Sequence, residues 1–185
     1  MISQEFMEAS AKGNINAVKE LLNSNEINAT DHHLYTALHM ASFNGHLSVT
    51  KELLSKGADP NIVNWGGESA LYWASYFNYL EIVKELLMYN ADPNLADNQG
   101  QTPLHRASTR GHVEVVKELL AKGANPNLKD SQGYTALDYA SRDARWAVIK
   151  ELENYSPTLR MLTLMCIKNH RINIKGVPPM LLEVL

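Results

Sequence analysis

Thr36-Ala37-Leu38-His39, Ser69-Ala70-Leu71-Tyr72, Thr102-Pro103-Leu104-His105 and Thr135-Ala136-Leu137-Asp138 start at positions 36, 69, 102 and 135, an unvarying period. A second block keeps the same beat: Lys51-Glu52-Leu53-Leu54, Lys84-Glu85-Leu86-Leu87, Lys117-Glu118-Leu119-Leu120 and Lys150-Glu151-Leu152-Glu153. A third lies between them at Asp59-Pro60-Asn61, Asp92-Pro93-Asn94 and Asn125-Pro126-Asn127. Lys19-Glu20-Leu21-Leu22 precedes the second series by one loop residue less than a full period. Three interleaved blocks in fixed phase mark a repeat architecture in which each unit is one supersecondary piece.

The residue types explain the beat. Thr36, Thr102 and Thr135 can cap a helix start through their hydroxyls, and Pro103 suits the first helical position. Ala41, Ala74, Ala107 and Ala140 keep the first helix thin, so neighbouring units can stack closely. Gly45 and Gly111, with Asn78, fit a left-handed turn after that helix. The second helix is apolar at Leu47, Val49, Leu53 and Leu54, and at Leu80, Ile82, Val83, Leu86 and Leu87, the spacing of a buried stripe. Gly57 and Gly123, with Asn90, end it in the same way. Asp31, Asn64, Asp97 and Asp130 then open a polar turn, with glycine at 67, 100 and 133. One unit cannot bury its own apolar face, so the units stack into a linear array. The expected division is an N-terminal cap at 1–30, repeats at 31–63, 64–96, 97–129 and 130–153, and a separate tail at 154–185.

This pattern resembles the ankyrin repeat family over residues 1 to 153, and Asp97 to Asn127 follow the family's consensus almost throughout. The resemblance implies an all-α ankyrin solenoid, an N-terminal cap plus four repeats, that binds other proteins. It also implies that partners lie on the concave side, on the turn tips and the exposed face of each first helix. Here those positions are His32, His33, Tyr35, Met40, Phe43 and Asn44; Trp65, Glu68, Trp73, Tyr76 and Phe77; Asn98, Gln99, Gln101, Arg106, Thr109 and Arg110; and Ser131, Gln132, Tyr134, Tyr139 and Arg142. Tyr35, Phe43, Trp65, Trp73, Tyr76 and Phe77 gather aromatic surface in the first two repeats. Each aromatic side chain can bury ~150–250 Å², so six together would exceed the few hundred Å² that a monomer's largest apolar patch presents. Arg106, Arg110 and Arg142 follow in the last two repeats. The expectation is an apolar anchor on the first pair of repeats and an acidic segment steered to the second pair; the alternative is that Trp73, Tyr76 and Phe77 pack between repeats.

After Glu153, which replaces a core leucine, the repeat grammar stops. Pro157 and Thr158 are helix openers. Leu159, Leu162, Thr163, Cys166 and Ile167 share one face, while Met161, Leu164 and Met165 make the other sides apolar. A helix apolar all round is buried or covered by a partner. The stretch is similar to a degenerate SOCS box, with Thr158, Leu159 and Ile167 on the adaptor-binding pattern and Thr163 where that family has cysteine. Val177-Pro178-Pro179-Met180-Leu181-Leu182-Glu183-Val184-Leu185 resembles the leucine-proline stretch that closes the box, and also the opening of an F-box. The resemblance implies a substrate receptor of a cullin-based ubiquitin ligase, with elongin B/C and a cullin as further partners. The competing reading is a tail that only caps the array of a sequestering protein.

Composition bounds the rest. Hydrophobic residues are 45% of the 185-residue chain, which excludes a disordered polymer. No apolar run reaches the ~18 residues a membrane span needs, and Met1-Ile2-Ser3-Gln4-Glu5 lacks the order of a signal peptide. One cysteine, Cys166, fits a reducing compartment, so the cytoplasm is expected, with the nucleus also open. A net charge of −3 argues against nucleic acid. Residues 1–153 carry 13 basic against 19 acidic side chains, whereas the tail is net basic. His39, His46, His105 and His112 recur with the repeat, and His32-His33 is a turn tip with no third ligand in spacing, so neither a metal site nor a cofactor is expected. No nucleophile–base set can be separated from the repeat grammar, and the expected chain is a non-catalytic monomer.

Overall fold

The computed structural model describes residues 4–22 and 26–155, in which helices alternate between two layers. One layer holds α1 (Gln4–Lys12), α3 (Ala37–Phe43), α5 (Ala70–Tyr76), α7 (Pro103–Arg110) and α9 (Ala136–Arg142). The other holds α2 (Ile15–Leu21), α4 (Leu47–Ser55), α6 (Leu80–Met88), α8 (Val113–Ala121) and α10 (Trp146–Tyr155). Each helix packs on its pair partner and on the same-layer helices of the adjacent units, so the structure is a line of stacked pairs. Among the described residues the only β-pairing is an isolated bridge between Val63 and Ser69. The helical tail expected from the sequence, with Thr158, Leu159, Thr163, Ile167, Val177, Pro178 and Leu181, lies outside the described residues.

The first layer starts where the hydroxyl residues place it. Thr36, Ser69, Thr102 and Thr135 cap α3, α5, α7 and α9. At Thr36 the cap is closed from both sides: its backbone N–H donates to His39 Nδ1 at 3.1 Å, and its Oγ1 accepts from the His39 amide at 3.3 Å. Since Nδ1 receives an N–H, the neutral ring carries its proton on Nε2. That nitrogen donates to the Glu68 carbonyl of the next unit at 3.1 Å. His105 repeats the arrangement with Thr102 and the Tyr134 carbonyl. Burial lowers the His39 pKa to about 4, which keeps the ring neutral in this role.

Ala41, Ala74, Ala107 and Ala140 are fully buried and let successive first helices lie close together. Leu53, Leu86, Leu119 and Leu152 are buried in the second layer. Glu153, read as the polar end of the array, is itself buried. A further column links the units: His46 Nε2 lies 2.9 Å from the Ala11 carbonyl, His112 Nε2 lies 3.1 Å from the Tyr76 carbonyl, and Arg145 Nε donates to the Thr109 carbonyl at 3.3 Å. The fourth member, Tyr79, lays its ring on Gly45, where a Cβ would come within 2.8 Å of it.

The polar turns form fingers that project beside the first layer. In each finger the leading side chain accepts two backbone N–H groups, two and four residues on: Asp31 from His33 and Tyr35, Asn64 from Gly66 and Glu68, Asp97 from Gln99 and Gln101, Asp130 from Gln132 and Tyr134. Adjacent fingers are zipped by backbone bonds, Trp65 N to His33 O, Asn98 N to Gly66 O and Ser131 N to Gln99 O. Gly67, Gly100 and Gly133 take left-handed φ values of 78°, 77° and 84°. In the first finger that place falls to Leu34, at φ 64°.

On the opposite flank the loops are joined by an asparagine ladder. Asn28, Asn61 and Asn94 each accept the backbone N–H of the corresponding loop one unit later, at 2.7–2.8 Å. Lys19–Glu52, Lys51–Glu85 and Lys117–Glu151 pair across units along the second layer.

Candidate binding face

The exposed faces of α3, α5, α7 and α9, together with the finger tips, form one continuous side of the stack. Four rings from α3, α5 and the residue that caps α5 meet in its first half, mostly edge to face, with Trp73 and Phe77 stacked. Phe43 lies 4.9 Å from Trp73 and 5.0 Å from Phe77, and Tyr76 lies 4.9 Å from Phe77. Phe43 is 39% exposed and Phe77 36%, so the cluster keeps apolar surface in water. Trp73 and Tyr76 are half-buried, and the Trp73 indole N–H is buried without an acceptor among the described residues. The rings therefore pack between repeats, while Phe43 and Phe77 still face outward.

Trp65 stands apart on its finger tip, 63% exposed, touching only the His33 ring edge among aromatic groups of the described residues. Leu34 is 41% exposed beside it. A leucine in the left-handed region costs about 1–2 kcal/mol that glycine avoids, and this one recovers none of it by joining the core. Sequence reasoning passed over Leu34, although it stands one full period before Gly67. Tyr35 is half-buried with its ring edge on His39, and Glu68 is half-buried, accepting from Asn64 Nδ2. At the N-terminal end a cleft of about 850 Å³ opens among Gln4, Met7, Asp31, His32 and Met40.

The second half is polar, and several residues expected on its surface are engaged inside the stack. Gln101 is buried, which corrects its expected exposure. Its Nε2 donates to the Tyr139 hydroxyl at 2.6 Å and to Asp130 Oδ2 at 3.4 Å. Tyr139 is half-buried and donates its hydroxyl to Asp130 at 2.6 Å. Burial alone would raise the Asp130 carboxyl, but the bonds it accepts from Tyr139, the Tyr134 and Gln132 amides and Gln101 hold it below the usual range. Arg106 is likewise committed: its Nε donates to the Tyr72 hydroxyl and its Nη2 lies 3.5 Å from Asp97, which also accepts from Tyr72 at 2.9 Å. Tyr72 occupies the place of His39 and His105. Being longer, it reaches the carboxylate of the next finger rather than a carbonyl, and burial pushes its phenol upward.

Arg110, Arg142 and Tyr134 remain on the surface. The Arg110 guanidinium lies 4.2 Å over the Tyr76 ring and donates to its hydroxyl. Arg142 stacks 5.2 Å from Tyr139, with Asp143 at 3.8 Å. Arg145 joins them, exposed and packed against Gly111, its side chain 3.0 Å from where a Cβ would be. The signal for it was present, since Arg145 follows His112 by one full period. Among the described residues no three His, Cys, Asp or Glu side chains converge to hold a metal ion. No described helix is long and apolar enough to cross a membrane.

Stacked helix pairs with zipped fingers define a repeat solenoid, a scaffold whose role lies in what its extended surface grips. Residues 6–97 and 78–160 match the family model described as ankyrin repeats (3 copies), and the chain belongs to the ankyrin repeat family. Over 63 residues it is 38% identical to ankyrin repeat domain-containing protein 49 of Bos taurus and 35% identical to the Homo sapiens protein of that name. The aligned stretch is 33% of this chain and 26% of each relative's length. Ankyrin repeats are protein–protein interaction modules and are in general non-catalytic.

Proposed function

We propose that this chain holds a target protein on the face made by its first helices and finger tips. One observation carries the reading. Phe43, Trp73 and Phe77 form a contiguous aromatic surface across two adjacent units, with two of the three rings facing water. Aromatic residues dominate binding energetics when a partner excludes that water. Trp65 adds an isolated anchor on the finger tip. The test is affinity capture of the target from the source cells by the full chain and by a Phe43→Ala, Phe77→Ala, Trp65→Ala variant. Loss of the target with an unchanged circular-dichroism melting curve supports the reading. Capture by the variant at the level of the parent overturns it.

A second reading concerns the tail. Thr158, Leu159 and Ile167, followed by Val177, Pro178 and Leu181, favour recruitment of an elongin-type adaptor and a cullin, so that the held target is ubiquitinated. Thr163 is a departure from the expected cysteine that weakens such docking. The alternative is a sequestering protein that occludes its target without marking it. Co-elution with elongin B/C on size exclusion separates the two, with a chain ending at residue 155 as the control. The single cysteine supports placing either activity in the cytoplasm or nucleus.

A further inference from the structure

The arginines of residues 4–155 are confined to one layer. All four, Arg106, Arg110, Arg142 and Arg145, lie on first helices or on the turn that follows one. The second helices carry lysines instead, and three of these pair with glutamates of the next unit. Arginine presents a planar fork of donors that matches a carboxylate, and it is desolvated more readily than lysine. Arg106 has its acid already in Asp97. Arg110 and Arg145 have no carboxylate within ion-pair distance among the described residues. Arg145 packs on Gly111, the residue after Arg110, and its Nε donates to the Thr109 carbonyl at 3.3 Å, which places both guanidinium groups at the end of α7; burial first and then both charges lower the His112 pKa. A local excess of positive charge thus persists on an acidic array.

We infer that the gripped segment bears an apolar side chain and a carboxylate, the first seated on Phe43 and Phe77 and the second on Arg110 with Arg145. The inference rests on the proposed use of this face and adds the chemistry of its partner. Charge complementarity selects the acid, and the aromatic cluster selects the apolar group. Phe77 and Arg110 occupy the same place in adjacent units, and packed helices lie ~8–10 Å apart. An extended chain advances ~3.3 Å per residue. The two groups of the partner are therefore separated by about three residues.

The test pans a phage-displayed library of random twelve-residue peptides on the full chain, then titrates synthetic versions of the enriched peptides. Enriched peptides should pair an apolar residue with Asp or Glu at that spacing. Phe77→Ala and Arg110→Glu should each weaken them about tenfold, and added salt should weaken them further. Both variants alter exposed side chains, and an unchanged melting curve confirms that each remains folded. Peptides that require Phe77 but carry no acid, or that bind Arg110→Glu as well as the parent, overturn the inference and leave the face as the grip. A library that yields no peptide dependent on Phe77 or Arg110 overturns both.

Discussion

The two helix layers are built from the same repeat unit, yet they vary in different ways. Along the second layer Lys51, Lys84 and Lys117 recur with their glutamates, and the buried leucines recur beneath them. Along the first layer the buried alanines recur equally well, while the outward positions change from Met40 to Trp73 to Arg106 to Tyr139. Stacking favours one recurrent residue where the side chain is enclosed by the next unit, as in the alanine and leucine columns. The outward side of the first layer is freer of that rule, and there or on the turn that follows the chain places Phe43, Trp73, Tyr76, Phe77 and all the arginines of residues 4–155.

The two sides of the first layer should differ most in how they bear truncation. Leu104→Ala should destabilise the array by about 2–5 kcal/mol, read as a lowered urea midpoint, whereas Phe43→Ala on the outward side should leave that midpoint nearly unchanged. Equal losses would mean that the aromatic cluster is core. Acid should find the same divide. His39 in the fold protonates at about 4, against the ordinary 6.5 in the unfolded chain. The unfolded state therefore takes up the proton first, and stability that is complete above pH 6.5 is lost as pH falls towards 4. The loss from this residue is on the order of 3 kcal/mol, with His105 adding to it in the same direction. Urea titrations at neutral pH and near pH 5 should show about 2 kcal/mol of this loss, and His39→Gln should flatten the dependence.

The fingers give a finer contrast. Gly100→Ala forces a side chain into the left-handed region with its Cβ 3.0 Å from the Asp130 backbone, and should cost about 1–2 kcal/mol or more. Leu34→Gly, at the equivalent place, should instead stabilise by a few tenths to about 1 kcal/mol after glycine's own entropic penalty. Thermal midpoints of the two variants should move in opposite directions. The smallest effect belongs to the exposed ion pairs: Lys51→Ala should change stability by less than about 0.5 kcal/mol, at the limit of a denaturation curve.

Helix positions were legible in the sequence because Thr36, Ala41 and Leu53 answer to packing demands that recur in every unit. Leu34 was legible in principle, since phase alone assigns it to a glycine position. The fate of Gln101 was not. Its partners, Asp130 and Tyr139, lie 29 and 38 residues away, and no local pattern separates an amide aimed at solvent from one aimed into the next finger. The engagement of Arg106 was not legible either: its acid, Asp97, is placed by its own finger, and Tyr72 completes the set from the preceding unit. Arg110 stays on the surface with no carboxylate within ion-pair distance among the described residues, and Arg142 stays there with Asp143 at 3.8 Å.

The asparagine ladder has a mechanical consequence. Asn28, Asn61 and Asn94 each fasten one loop to the next and to nothing further along. Tension applied to the two ends therefore loads rungs in series, and the outermost unit should peel before its neighbour feels the pull. Stretched in an optical trap, the array should lengthen in steps of one unit, each releasing about 33 residues or roughly 110 Å of contour, rather than parting at once.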